Sequence, residues 1–191
     1  MSGTDRTLLV DASVLITLSE VDAVDVLLAT DGKIVIPTPV AFEVTDDPAA
    51  SLISEALDAG HIETWDVGLS PVAKAASHLG KDLSDEELEG YGHPYVEGDI
   101  GLLALALLRD DPERRLDSPV VVTDDKPLRQ TCKALSVPVS GSIGILVRAV
   151  ERGAIEAEEA KNTLYAMDEV GARFSASLMK RAENLIDEAG D

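Results

Sequence analysis

The chain has a single cysteine, Cys132, and its aromatic residues make up only 3% of 191 residues. One cysteine cannot form an internal disulfide bond, so the sequence fits a reducing compartment. We expect Cys132 to pack in the core of a helical region rather than to act as a nucleophile. Because aromatic side chains are few, the core has to be built mainly from Val, Leu, Ile and Ala, and no set of rings for stacking on nucleic-acid bases can be recognised.

Long apolar runs are also missing from the sequence. No apolar segment approaches the roughly 18 residues that a membrane-spanning helix needs, and no basic and apolar leader precedes the first strand. We therefore expect a soluble, cytoplasmic protein that does not bind membranes. The length suits one domain, and 45% hydrophobic residues can supply its core.

Basic residues are scarce, with 16 Lys and Arg against 36 Asp and Glu and a formal net charge of −20. Most of the acids must be solvated, as in the acidic runs 82–89 and 156–159. Such an excess is typical of proteins adapted to molar salt, so we expect a halophilic origin. At about 1 M ionic strength the Debye length is only about 3 Å, and the net charge therefore does not exclude a polyanionic partner.

Short apolar strands alternate with helical segments along the chain. This alternation predicts βαβ units and an α/β fold with a central, mostly parallel sheet. From about Ala154, helical apolar spacing predicts further helices at the C-terminus. The predicted strands are Thr7–Val10, Lys33–Ile36, Ile62–Val67, Val120–Val122 and Val137–Val139. The predicted helices are Ser13–Leu28 with a polar break near 19–22, a segment from about Pro39, Ala49–Ala59, Pro71–His78, Ile100–Leu108 and Pro127–Leu135.

A few acidic residues stand beside buried sequence, where a carboxylate is costly to desolvate. Asp11 directly follows the first strand, and Asp124 and Asp125 follow the fourth. Glu43 and Asp99 are predicted to lie early in helices, whose N-termini favour negative charge. Since ligands bind at the carboxyl ends of parallel strands, we expect these acids to converge at one edge of the sheet.

Converging carboxylates predict a site for a hard cation. They repel one another unless such an ion lies among them, and no histidine or cysteine has ligand spacing. Ligation by oxygen alone favours Mg²⁺ or Mn²⁺ over Zn²⁺. A non-catalytic scaffold that only binds metal or a partner is compatible with the same residues.

Two other enzyme classes also place an Asp after the first strand. A phosphatase of the haloacid-dehalogenase type needs a second Asp two residues later, where this chain has Ser13. A receiver-type phosphoacceptor needs paired acids after the first strand, which offers only Asp11. The sequence therefore argues against both classes.

The acidic segments together resemble the four motifs of PIN-domain nucleases. The matching segments are VDASVL with Asp11, the lone Glu43 in the following helix, DIGLLALAL opened by Asp99, and TDDK with Asp124. The segments GSIGILVRAV and LYAMDEVGARFSASLMKRAENL are similar to a prokaryotic PIN-like subgroup related to VapC-type toxins. The resemblance implies a three-layer αβα fold, with a PIN-like nuclease domain over 1–150 and a C-terminal helical pair over 151–191 packed on it.

The resemblance also implies a function, namely Mg²⁺- or Mn²⁺-dependent endonucleolytic cleavage of RNA, often by the toxin of a toxin–antitoxin pair. It makes Asp11, Glu43, Asp99 and Asp124 the catalytic and metal-binding acids, with Asp125 as the alternative or additional fourth-motif ligand. An antitoxin protein and a second copy of the chain, in a homodimer, are the implied protein partners. A role in RNA processing, or binding of metal or nucleic acid without catalysis, is the alternative.

Further residues near these motifs receive supporting roles. Ser13 and Thr123 match small polar positions that support the metal ligands by hydrogen bonding, and Glu97 matches an acid of the subgroup. Lys126 and Arg129 are candidates for contacting RNA phosphate, or else are charges on a helix surface. The chain departs from the family pattern in a long lead-in to Asp99, residues 84–99, where we expect a flap beside the site.

Overall fold

The fold is seen in a computed structural model that describes residues 6–84, 96–108 and 116–191. The flap that we expect over 84–99 includes residues 85–95, which lie outside the described residues. Within the described ranges, no helix is long and apolar enough to cross a bilayer.

The described strands form one sheet in which every neighbouring pair is parallel, in the order β3-β2-β1-β4-β5. Helices cover the sheet, so the predicted three-layer α/β fold is confirmed. The strands are β1 (Thr7–Val10), β2 (Lys33–Pro37), β3 (Ile62–Trp65), β4 (Val120–Val122) and β5 (Val139–Ser140). The helices are α1 (Ala12–Glu20), α2 (Val24–Leu28), α3 (Thr38–Glu43), α4 (Ala49–Asp58), α5 (Leu69–His78), α6 (Gly98–Ala106), α7 (Lys126–Ala134), α8 (Ser142–Glu151), α9 (Ala157–Met167) and α10 (Ala176–Gly190).

Strand β1 lies at the centre of the sheet and pairs with β2 on one side and β4 on the other. Its register against β4 joins Val10 to Val122, so both strands end at the same level. Beyond the ladder, the backbone N–H of Asp11 donates to the carbonyl oxygen of Val122 over 3.0 Å. The residues that follow the two strands are therefore neighbours across the carboxyl edge of the sheet.

Helix α6 is buried along almost its whole length, as its continuous apolar sequence predicts. It packs against α3, α5 and the strands β1, β2 and β4. Asp99 is the exception, a partly exposed acid in the first turn of this apolar helix. Because α6 is fixed on several sides, its N-terminus is held firmly at the carboxyl edge of the sheet.

The C-terminal helices α9 and α10 pack against α8, and α9 also contacts α1. Between them lies a π-helical turn over Asp168–Ala172, followed by Arg173 in the left-handed conformation with φ 50°. Five residues from these helices are fully buried in the main hydrophobic core: Ala160, Leu164, Met167, Ala182 and Ile186.

The position of Glu43 differs from the prediction, which placed it early in a helix. Helix α3 begins at Thr38, directly after β2, has Pro39 at its second position and ends after only six residues. Glu43 is its last residue, at the end where the helix dipole disfavours a carboxylate. Its stabilising partners must therefore come from another element.

The last strand is also displaced, because Val137 completes the end of α7 instead of starting β5. Its N–H donates to the carbonyl oxygen of Cys132 over 2.8 Å, after Ser136 has turned the chain with φ 55°. Strand β5 consequently begins at Val139, which pairs with Val121.

Cys132 packs in the core on α7, as expected, and is fully buried. Burial raises the pKa of its thiol to about 11, so very little nucleophilic thiolate forms near neutral pH. We predict that a thiol reagent at pH 8 labels the native protein only as fast as the protein unfolds. Labelling at the rate of a free model thiol, measured by mass spectrometry, would contradict this assignment.

Candidate active site

Asp11 is a buried carboxylate at the carboxyl end of β1. Its side chain is only 8% exposed, and its Oδ2 accepts hydrogen bonds from Ser13 Oγ at 2.8 Å and Thr123 Oγ1 at 2.5 Å. Burial raises the pKa of Asp11; the two hydroxyl groups lower it in part, and the charge of Asp125 raises it further. The sequence places this acid beside the strand end, and the fold desolvates it there.

Thr123 links Asp11 to the residues that follow β4. The fully buried hydroxyl of Thr123 donates to Asp11 and accepts the backbone N–H of Asp125 over 3.1 Å. Asp125 is also the N-cap of α7, where its Oδ1 accepts the N–H of Leu128 at 2.7 Å. Thr123 therefore fixes the backbone of Asp125 beside Asp11, and the Leu128 N–H fixes its carboxylate.

Glu43 reaches from the end of α3 to the N-terminus of α6. Its Oε1 accepts the backbone N–H of Gly98 at 2.7 Å, so the dipole of α6, not that of α3, favours its charge. Burial raises the pKa of Glu43, the Gly98 N–H lowers it in part, and the charges of Asp11, Asp99 and Glu97 raise it further. The charges of Asp11 and Asp99 act on Glu43 because the fold places residues of the first three predicted motifs close together.

Gly98 allows this close approach because it has no side chain. A Cβ atom at this position would lie 2.7 Å from Glu43 Oε2 and 3.0 Å from its Oε1. Such contacts are too short for real Cβ atoms, so any larger residue would displace the carboxylate.

Lys81 is a site residue that sequence reasoning missed. Its Nζ lies 2.7 Å from Asp99 Oδ2 and 2.5 Å from Glu97 Oε2. Burial alone would lower the pKa of Lys81, but the hydrogen bonds to Asp99 and Glu97 outweigh it and raise the pKa. No motif surrounds Lys81 in the sequence; it reaches the site because α5, which it follows, packs against α6.

Asp124 binds the N-terminus of α8. Its Oδ1 accepts the backbone N–H of Ser142 at 3.1 Å. Ser142 Oγ is buried and has no hydrogen-bond partner within the described part of the chain. Asp124 therefore lies at the same sheet edge as the other acids but is oriented toward β5 and α8.

The two basic residues after the fourth motif have different surroundings. Arg129 Nη1 donates to the carbonyl oxygens of Thr123 at 2.7 Å and Ser140 at 2.6 Å, and so joins the ends of β4 and β5. Lys126, the first residue of α7, is exposed at the carboxyl edge. Arg129 thus supports the strand ends, while Lys126 is accessible to a ligand.

A family model described as a PIN domain matches residues 7–89 and 97–188, which is most of the chain. The chain belongs to the PIN-domain family. PIN domains are generally nucleases, so the family gives a nuclease-type function in general terms. No curated protein matches the chain.

The PIN-domain acids do not form a ready metal cage within the described residues, where no three acidic, histidine or cysteine side chains are arranged as a metal site. Their chemistry nevertheless fits a hard cation. The donors are oxygen atoms only, and Asp11 and Glu43 are both desolvated near other negative charges. The ammonium of Lys81 balances part of this charge from the Asp99 side of the site.

Replacing Asp11 by Asn tests the desolvation of this PIN-domain carboxyl. Because its pKa is raised in the folded state, ionised Asp11 costs stability above that pKa, and the cost vanishes below the ordinary carboxyl pKa of about 4. In chelator at neutral pH, we expect Asp11→Asn to raise the melting temperature by about 2–4 °C, corresponding to about 1 kcal/mol. The gain should disappear as the pH falls to about 4.

Asp58→Asn is the control, because Asp58 is an exposed acid on α4 and the substitution removes the same charge. If both variants show the same stability difference across the pH range, general charge repulsion explains the effect and the desolvation of Asp11 does not.

Lys81→Gln tests the internal counter-charge. Without the ammonium, Asp99 and Glu97 repel each other and Glu43, so we expect the chelated protein to lose up to about 1 kcal/mol, or about 2–4 °C of melting temperature. Millimolar Mn²⁺ should then stabilise Lys81→Gln more than it stabilises the parent, since no ammonium competes for Asp99.

Lys74→Gln provides the matched control for this comparison. Lys74 is an exposed residue of α5 and pairs with no carboxylate in the described ranges. An equal Mn²⁺-induced shift in Lys81→Gln, Lys74→Gln and the parent would contradict a role for Lys81 in balancing the site.

Proposed function

We propose that this PIN-domain protein is an endoribonuclease that depends on Mg²⁺ or Mn²⁺. The observation that carries the proposal is the pair of desolvated carboxyls, Asp11 and Glu43, at an edge that they share with Asp99. Desolvating several like charges at one place destabilises a fold, and such costly arrangements are typical of functional sites. An oxygen-only acidic site in a nuclease family supports metal-assisted hydrolysis of a phosphodiester.

The residues that would hold the ion are Asp11, Glu43 and Asp99, with a fourth-motif acid. Asp125 supports this role best, because its charge acts on Asp11. Asp124 would take part only after turning from the Ser142 N–H. When bound, a divalent ion supplies Lewis acidity for the phosphate group and lowers the pKa of a water molecule.

Other residues of the chain orient these acids. The hydroxyl groups of Ser13 and Thr123 fix Asp11, and the Gly98 N–H fixes Glu43. Lys81 supplies a positive charge that a substrate phosphate can share with Asp99. Loss of such supporting hydrogen bonds typically costs 10–100-fold in metal affinity or activity, so we place Ser13, Thr123 and Glu97 in this class.

The proposal extends to the biological role. We propose RNA as the substrate, a cytoplasmic protein adapted to high salt, and a toxin of a toxin–antitoxin pair that forms a homodimer. The resemblance to VapC-type toxins supports the toxin role, and the net charge of −20 supports adaptation to salt. RNA processing is the alternative role for the same chemistry.

A non-catalytic PIN-like scaffold is the second candidate, and one observation favours it. Lys81 lies against Glu97 and Asp99, so the acids are partly neutralised by the chain itself. A scaffold needs such compensation permanently, whereas a nuclease needs it only until the ion binds.

The deciding experiment is cleavage of a labelled single-stranded RNA with Mn²⁺, Mg²⁺ or chelator. We expect the parent to cut RNA only with a divalent ion, and Asp11→Asn, Glu43→Gln and Asp99→Asn each to lose at least about 100-fold of the rate, more than a supporting residue would. Ser13→Ala should lose about 10–100-fold. Circular dichroism should show that all four variants remain folded.

Two results would overturn the nuclease proposal. One is cleavage at the parental rate by the folded Asp11→Asn variant. The other is Mn²⁺ binding to the parent without any cleavage of RNA, which would establish the scaffold.

A further inference from the structure

A groove of about 800 Å³ lies along the outer strand β5, bordered by α7, α8, the turn at Arg173 and α10. Apolar side chains form part of its lining, among them Val139, Ile143, Phe174 and Leu178. Six basic side chains also line it, and we call it the basic groove. They are Lys126, Arg129, Lys133, Arg148, Arg173 and Arg181.

The basic groove is unexpected in a chain with a net charge of −20. It collects six of the 16 Lys and Arg residues of the chain, whereas Asp124 and Glu151 are the acids that line it. An acidic protein that binds a polyanion still needs basic side chains at the contact surface, because Lys and Arg make the contacts that neutralise phosphate groups. The groove provides such a surface.

Four of these cations are available to an external anion. Arg129 is bound to backbone carbonyls, and Arg148 pairs with Glu151 at 2.8 Å. The other four, which are exposed and pair with no carboxylate of the described residues, are Lys126, Lys133, Arg173 and Arg181. They stay unpaired although acids outnumber bases in the chain by more than two to one.

One end of the groove reaches the carboxyl edge of the sheet, where the acidic site also lies. Asp124 and Gly141 line this end of the groove, and they follow β4 and β5 at the carboxyl edge. Because β4 pairs directly with β1, this end of the groove lies next to the edge that carries Asp11. A chain of anionic groups that occupies the groove would thus lead to the acids.

We propose that the basic groove binds the phosphate backbone of single-stranded RNA and guides it to the acidic site. The proposal rests on the proposed function. Proteins bind a single strand through cations that contact successive phosphates, and the groove lines up such unpaired cations. Its apolar lining residues offer contact to bases and ribose. The position of the groove at the same sheet edge as the acids favours the substrate strand over an acidic protein segment as the occupant.

The test measures RNA affinity as a function of KCl in the Asp11→Asn background, so that the RNA stays intact. The groove variant carries Lys133→Gln and Arg181→Gln, neither of which contacts the acidic site. If each cation neutralises one phosphate, the slope of log K against log salt should become shallower by about 1.4, because each single-strand contact contributes about 0.7. At 0.1 M salt this corresponds to a loss of about 25-fold in affinity.

The matched control carries Lys74→Gln and Lys180→Gln. Both residues are exposed and unpaired within the described ranges, and Lys180 is the neighbour of Arg181 on α10 but does not line the groove. The control changes the net charge by the same amount and should keep the parental slope. Equal slopes for the groove variant and the control would overturn the proposal.

Cleavage assays separate this proposal from the nuclease proposal. With Asp11 restored, the groove variant should raise KM for a long RNA while leaving kcat unchanged, and it should cut a trinucleotide as well as the parent does. RNA binding with the predicted slope but no cleavage by the parent would uphold the groove and overturn the nuclease. If the groove variant keeps its RNA affinity but loses self-association or binding to an acidic peptide, the groove is a protein interface and the proposal is overturned.

Discussion

The crowding of negative charge at the carboxyl edge is the constraint on which the site depends. Parallel strands bring Asp11 and Asp125 to one edge, and α3 and α6 add Glu43, Glu97 and Asp99 from the side. Hydroxyl groups, a backbone N–H and an ammonium surround these carboxylates. Each of these groups stabilises a negative charge that burial would otherwise penalise, so the surrounding architecture can be understood as a response to the acids.

Charge is also sorted over the rest of the molecule. Acids are abundant in the chain, whereas four cations that pair with no carboxylate of the described residues lie together beside β5. Together they form a locally basic surface, and such a surface attracts a polyanion.

Much of the fold could be predicted from local sequence, because apolar periodicity reports burial directly. The strands β1, β2 and β4, the helix α6 and the meeting of Asp11 with the residues after β4 follow from such patterns. The positions of Glu43 and Lys81 could not be predicted in this way. Each is decided by contacts between elements distant in sequence, such as Gly98 with Glu43, and these contacts leave no local pattern. The orientation of Asp124 likewise depends on the packing of α8.

The hydroxyl of Thr123 has a consequence for the two oxygens of Asp11. It carries one hydrogen and accepts the N–H of Asp125, so that hydrogen is directed at Asp11 Oδ2. Ser13 directs a second hydrogen at the same oxygen. The two oxygens of Asp11 are therefore inequivalent, because Oδ2 accepts both hydroxyl hydrogen bonds. Serine at position 123 would keep a hydroxyl that can donate to Oδ2, whereas valine, which has a similar shape to threonine, would remove this donor.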